Sequence, residues 1–162
     1  MKKLITALLF LVLLAMPVTP AKAGVIGIED EMLINPMDVV KSVLAKKGYT
    51  MRDWYLLASA MQLENGCNSD LCLQYTGSVI LNRTKASWCP DTIEGVLLQK
   101  GQYAEHTVKN LYTTKVTERI QVLALGLLLH GSLDEELIFQ SMHPYLGKVK
   151  YVIDGEYFAT AK

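Results

Sequence analysis

The sequence contains little charge and few cysteines. Only 20% of its 162 residues are charged, 51% are apolar and three are cysteines. This composition excludes a disordered or collagen-like chain and a fold that depends on many disulfides. Residues 1–23 hold three of the 16 basic residues and no acidic one, which leaves 13 basic and 16 acidic residues, a net of three negative charges. Without excess positive charge, the protein is not expected to bind nucleic acid.

Motifs for metal and cofactor binding are also absent from the sequence. It has no Cys-Xaa-Xaa-Cys pair, no His-Glu-Xaa-Xaa-His pattern, no glycine-rich phosphate loop and no Gly-Xaa-Ser-Xaa-Gly nucleophile motif. We therefore expect a protein that has neither a metal site nor a cofactor.

Residues 1–23 have the features of a secretory signal peptide. Met1, Lys2 and Lys3 form a positive start, residues 4–16 are mostly apolar, and residues 21–23 form a small-residue cleavage site. An apolar run of 13 residues is too short to span a membrane. We expect cleavage after Ala23, a secreted or cell-envelope protein, and no stable membrane span after processing.

Export places the three cysteines in an oxidising compartment, where cysteines tend to pair. Cys67 and Cys72 are five positions apart at a predicted helix start, whereas Cys89 follows that helix, which is about 25 Å long. A disulfide joins Cα atoms that are no more than about 7 Å apart. We therefore expect a disulfide between Cys67 and Cys72 and a free thiol at Cys89.

Capping residues and apolar periodicity predict an α+β fold, mainly helical, with a small antiparallel sheet near the C-terminus. The predicted helices are 36–47, 51–65, 69–86, 93–99 and 118–130. The last of these is apolar nearly all round over residues 122–129, which indicates a central buried helix, and Gly126 within it indicates a close helix approach. Extended segments at 138–141, 148–153 and 156–159 predict the sheet, with Asp154-Gly155 as a hairpin turn.

Glu64 is the candidate catalytic residue. It lies in the last turn of a predicted helix, where the negative end of the helix dipole disfavours an ionised carboxylate. Apolar neighbours such as Leu63 and Met61 would limit its hydration further, and a carboxyl group that keeps its proton can act as a general acid. On this local feature alone, a solvated residue at a helix end remains an open alternative.

Three further segments follow Glu64 in a characteristic order. They are Val-Ile-Leu-Asn-Arg at 79–83, Pro-Asp-Thr-Ile-Glu-Gly-Val at 90–96 and Gln-Lys-Gly-Gln-Tyr at 99–103. The order and spacing resemble the cell wall hydrolase family that includes the spore cortex-lytic enzymes (SleB-like). The resemblance extends from about Arg52 to Ala159, and residues 139–141 and 157–158 fall where that family has its C-terminal strand motifs.

The resemblance implies a lysozyme-like fold and a lytic transglycosylase that acts on peptidoglycan glycan strands. Residues 50–162 would form this cell wall hydrolase domain, preceded by an N-terminal helical extension at 24–49. In the family, the glutamate that matches Glu64 protonates the glycosidic oxygen between N-acetylmuramic acid and N-acetylglucosamine. It then accepts the proton of the muramic C6 hydroxyl as a 1,6-anhydro ring closes.

One position departs from the family pattern. Many members have a second glutamate four residues after the first, where this chain has Asn68. Glycosidases of the hydrolysing kind need two carboxyl groups, and only Asp70 is near Glu64 in the sequence. We therefore expect a mechanism in which one carboxyl group serves as both acid and base.

Other polar residues are candidates for holding the substrate or the loops around it. We expect five side chains to bind the glycan: Gln102, Tyr103, Gln140, Ser141 and Tyr157. Amides and hydroxyls can hydrogen-bond to sugar groups, and a tyrosine ring can pack on a sugar face, although plain packing is the alternative for each. Asn82 and Arg83 are expected to hold loops around the cleft as structural support, or else to form an exposed polar edge.

Two other functions remain open at this point. Asn68 in place of an acidic residue is compatible with a catalytically inactive wall-binding or inhibitory protein on the same fold. A cell wall amidase or endopeptidase would need a metal or a nucleophilic cysteine, and Cys89 has no histidine among its sequence neighbours. The expected partner is peptidoglycan, and the sequence identifies no regulatory protein.

Overall fold

A computed structural model of the protein describes residues 35–66 and 68–161. In that part of the chain, a set of helices precedes a C-terminal sheet. The helices are α1 (Pro36–Lys46), α2 (Met51–Asn65), α3 (Asp70–Arg83), α4 (Ile93–Leu98), α5 (Glu105–Asn110) and α6 (Glu118–His130). The strands are β1 (Leu137–Ser141), β2 (Lys148–Ile153) and β3 (Glu156–Thr160). The predicted α+β architecture, mainly helical with a small antiparallel sheet, is confirmed.

Two of the predictions concern residues outside the described part. The signal peptide at 1–23 lies there, and so does Cys67. No helix among the described residues combines the length and apolarity that a membrane span requires.

The helices begin where the sequence has capping residues. The Asn35 and Ser69 side chains accept hydrogen bonds from the first turns of α1 and α3. At the start of α2, Thr50 Oγ1 accepts from the Asp53 amide at 3.1 Å, and the Asp53 carboxylate accepts from the Thr50 amide at 2.8 Å. This reciprocal pair is a capping box, and it satisfies two donors that a bare helix end would leave free.

Helix α5 was not predicted from the sequence. Its N-cap residue, Ala104, makes no side-chain capping bond, so the local pattern contains no start signal. Helix α3 also ends at Arg83, three residues before the predicted end.

Helix α6 is the central helix, as predicted. It packs against α1, α2 and α3, and Leu125 and Leu128 are buried within the main core. Helix α1, which lies in the predicted extension, buries Val40 and Leu44 in that same core. The α1 part of the extension is therefore packed in the same hydrophobic unit as the other helices.

The close helix approach predicted at Gly126 is wrong. A Cβ atom added there would meet nothing within 4 Å. The close approach is instead at Gly77 in α3, where a Cβ atom would overlap Leu127 Cδ1 and lie 3.0 Å from Met61 Sδ. A glycine at this position lets α3 pack directly against α2 and α6.

The sheet has the strand order β1-β3-β2, and both pairings are antiparallel. The turn between β2 and β3 contains Asp154 and Gly155, with φ angles of 53° and 86°. Because two adjacent residues with positive φ match the twist of a hairpin, this turn directs β3 back between the other two strands.

The sheet packs on α3 through aromatic contacts. Phe158 is fully buried, and the Tyr75 ring of α3 lies 5.4 Å from it. The register places Gln140 of β1 opposite Phe158, so both side chains are on the face that meets α3. Tyr157 precedes Phe158 in β3 and pairs with Ser141, so the side chains of Tyr157 and Ser141 lie on the opposite face.

Candidate active site

A cleft of about 640 Å³ lies between the helices and the sheet. Its helical wall contains Glu64, Val79 and Arg83, and the loop residues 101–103 line it beside them. Its sheet wall contains residues 138–141 and Glu156. The volume is within the range of pockets that bind small organic ligands.

Glu64 lies in the last turn of α2, where the sequence placed it, and its side chain lines the cleft. Its Oε1 atom is buried and has no hydrogen-bond partner within the described part of the chain. Nearly all buried polar atoms in proteins have a partner, so an unpartnered carboxyl oxygen at a cleft wall is available to a ligand.

Tyr103 and Gln102 line the same cleft, as predicted for substrate-binding residues. Burial raises the pKa of the Tyr103 hydroxyl; the charge of Arg83 lowers this pKa and the charge of Glu64 raises it. The hydroxyl therefore stays protonated at neutral pH and can donate a hydrogen bond to a ligand. Gln102 is exposed at the rim of the cleft.

Asn82 has the structural role that the sequence predicted. It is buried, and its Nδ2 donates to the carbonyl oxygens of Asp134 at 2.7 Å and Leu137 at 2.8 Å. These two bonds attach the start of β1 to the end of α3. The sheet wall of the cleft is thereby fixed to the helical wall.

Arg83 supports the cleft and also lines it. Its guanidinium donates to Gln99 Oε1 at 2.7 Å and to the Ile138 carbonyl at 3.4 Å, and it lies 5.4 Å from the Trp88 ring centroid. The residue is only 3% exposed, and its Nε atom has no hydrogen-bond partner among the described residues. No ion pair to Arg83 is present in this part of the chain.

The predicted strand residues divide into two groups. Gln140 and Ser141 line the cleft. Ser141 Oγ donates to the His143 carbonyl at 2.5 Å, so this hydroxyl is engaged with the following loop. Tyr157 is not among the residues that line the cleft, so this cleft gives no support to its predicted role in substrate binding.

The sequence reasoning missed a second carboxyl-bearing residue in the cleft. Glu156, the first residue of β3, lines it, and Glu156 Oε2 accepts from Gln140 Nε2 at 3.3 Å. Asp70, the carboxylate expected near Glu64, instead forms an ion pair with Arg119 and is not a lining residue. The predicted hairpin at Asp154-Gly155 places Glu156 at the start of a strand. It does not show that this strand borders a cleft.

The segment after Glu64 leads to Cys72, for which the sequence predicted a disulfide. The Asn68 amide donates to Asn65 Oδ1 at 3.0 Å and lies 3.5 Å from Cys72 Sγ. Cys72 is buried, and burial raises the pKa of its thiol. Cys72 is a free cysteine in the structure, with Sγ 3.8 Å from the Ile153 carbonyl oxygen, so its predicted disulfide with Cys67 is corrected; Cys89 also carries a free thiol.

Within the described ranges, no group of three or more His, Cys, Asp or Glu side chains is placed to hold a metal ion. Comparisons of the chain with protein-family models, with curated proteins and with solved structures find no match.

Proposed function

We propose that the protein is a secreted enzyme that cleaves peptidoglycan glycan strands as a lytic transglycosylase. The bond cleaved is the one between N-acetylmuramic acid and N-acetylglucosamine. The observation that carries the proposal is the position of Glu64, which lines a ligand-sized cleft with a buried oxygen that has no partner among the residues described. The SleB-like order of motifs around Glu64 supports the choice of substrate.

In the proposed reaction, Glu64 acts twice. Its carboxyl group protonates the glycosidic oxygen as the bond to the muramic C1 atom breaks. The resulting carboxylate then accepts the proton of the muramic C6 hydroxyl while the C6 oxygen bonds to C1. Because the attacking oxygen belongs to the substrate, the reaction needs no activated water.

The other cleft residues would orient the sugar. The Tyr103 hydroxyl, kept protonated by its raised pKa, can donate to a sugar oxygen or an acetamido carbonyl. The amide of Gln102 can both donate and accept at the rim. Binding through neutral donors suits a protein whose mature chain has only a small net charge.

Digestion of purified peptidoglycan by the mature protein tests the proposal. Mass analysis of the released fragments should show anhydro muropeptides, which are lighter by one water molecule than muropeptides with reducing ends. New amino termini would instead indicate an endopeptidase or amidase. Protein that sediments with the wall and releases no fragments would be a binding or inhibitory protein, the alternative that Asn68 leaves open.

A further inference from the structure

We propose that Glu156 is the second carboxylate of the cleft, and that its negative charge stabilises the positive charge that develops on the sugar. This role rests on the proposed function, because it belongs to the same bond-breaking step. It adds a residue that neither the motif order nor the residues around Glu64 indicated.

The two carboxyl groups reach the cleft from different walls. Glu64 comes from the end of α2, and Glu156 comes from the start of β3. Gln140 is paired with Phe158, two residues after Glu156, so the side chains of Gln140 and Glu156 share one face of the sheet. The 3.3 Å hydrogen bond between them fixes the Glu156 carboxylate at the cleft wall.

The partners of the two groups assign them different tasks. Glu156 Oε2 accepts a hydrogen bond from the Gln140 amide, so this carboxyl group is held in place by a neighbour. Glu64 has a buried oxygen with no donor among the described residues, so this oxygen is available to a substrate atom. Two carboxyl groups in unlike surroundings can serve as a proton donor and as a fixed negative charge.

Arg83 provides independent support for a negative charge in this cleft. It is a buried cation that lines the cleft, has no ion pair within the described ranges and leaves Nε without a partner. A buried cation is costly unless opposite charge lies nearby. Glu64 and Glu156 are the acidic residues that line the cleft with Arg83, and Glu156 is the one that the proposed proton transfer leaves unused.

The proposed step balances without any further reactant. As the C1–oxygen bond breaks, its electron pair goes to the leaving oxygen, which takes the proton from Glu64. Positive charge then spreads over C1 and the ring oxygen, and the negative charge of Glu156 lowers the energy of this transition state. The C6 oxygen bonds to C1 and its proton passes to Glu64, while Glu156 forms no bond.

Kinetics of Glu156 variants on purified peptidoglycan or a defined glycan oligomer test this role. Glu156→Gln removes the charge at nearly constant size, and kcat should fall by about 100-fold, the typical effect of losing one stabilising group. KM should change by less than about twofold, because a charge used in the transition state contributes little to ground-state binding. Glu156→Asp should recover part of kcat, and the products should still be anhydro fragments.

Glu135→Gln is the matched control, because its side chain is 79% exposed and pairs with Lys85 outside the cleft.

Wild-type kcat in Glu156→Gln would overturn the role of Glu156 and leave that of Glu64 intact. If the Gln and Asp variants lose kcat equally and both have a lower Tm, Glu156 has a structural role. That result would also overturn the proposed role. If the wild type forms products with reducing ends and Glu156→Gln does not, Glu156 activates water for hydrolysis, which would overturn the proposed role. Wild-type protein that releases no glycan fragments would refute the proposed function, and this role with it.

Discussion

The helical wall of the cleft and the loop beyond its sheet wall are built differently. On the helical wall, Arg83 is almost completely buried and its neighbour Asn82 makes two hydrogen bonds to the start of β1. In the outer loop, residues 142–147 between β1 and β2, Met142 is 72% exposed and Tyr145 is 69% exposed. Both regions border one cleft, so Glu64 is held on fixed elements, whereas the exposed side chains of the outer loop lie where an extended ligand could continue.

The largest stability effect is expected where the two walls are joined. Asn82→Leu removes both hydrogen bonds and leaves the carbonyl oxygens of Asp134 and Leu137 without this donor. Urea unfolding should show a loss of about 3 kcal/mol in the free energy of unfolding, since a buried unsatisfied group costs about 1–3 kcal/mol. Asn110→Ala is the control, because its single bond to the His106 carbonyl is exposed. An Asn82→Leu loss no greater than that of the control would show that the wall does not depend on this joint.

A pair of glycine variants tests how tightly the helical wall is packed. Gly77→Ala should lower the free energy of unfolding by about 1–3 kcal/mol, because the new methyl group would overlap Leu127 and crowd Met61. Gly126→Ala should instead raise it by up to about 1 kcal/mol, because that site has open space and alanine is the better helix former. Thermal unfolding of the two variants under identical conditions measures the difference. Shifts of the same sign would contradict the assigned packing.

These contrasts also show which features were predictable from the sequence. Helix starts such as Thr50 were predictable, because a cap and its partner lie within four residues of each other. Gly126 was misread because an apolar run indicates burial but not which face approaches a neighbour. Glu156 was missed because it meets the cleft only through the pairing of β1 with β3 and their packing on α3. Contacts between residues far apart in the chain leave no local periodicity to read.

A smaller effect is expected in the outer loop. Tyr145→Ala removes an exposed ring at the cleft, next to His143, whose ring centroid lies 6.2 Å away. If the ring packs on the glycan, KM should rise by roughly fivefold, which corresponds to about 1 kcal/mol of aromatic contact. Tm and kcat should not change. Leu133→Ala, at a 48% exposed residue outside the cleft, is the control, and equal KM values in the two variants would remove the loop from substrate binding.

The smallest effect is expected away from both walls. Hydrogen bonds from the Arg52 guanidinium and the Tyr112 hydroxyl lower the pKa of Glu94 to about 2. Because this pKa is below the ordinary value of 4.5, the pair stabilises the fold above pH 4.5 and the contribution is lost as the pH falls through about 2. The groups are exposed, so the effect is small and weakens with added salt.

To test this, Tm is measured for the wild type and for Glu94→Gln between pH 4.5 and about pH 2. The wild type should lose slightly more Tm than the variant as the pH falls, because only the wild type has the carboxylate to protonate. Identical pH profiles would show that the ion pair contributes nothing to stability.

The most direct test of the central claim is the release of glycan fragments by Glu64→Gln. The substitution keeps the size of the side chain and removes the proton donor, so anhydro muropeptide release should fall to about one-hundredth of the wild-type rate or lower. Tm should stay close to that of the wild type, which would show that the loss is chemical. Release at the wild-type rate by a folded Glu64→Gln protein would contradict the assignment of Glu64 as the acid.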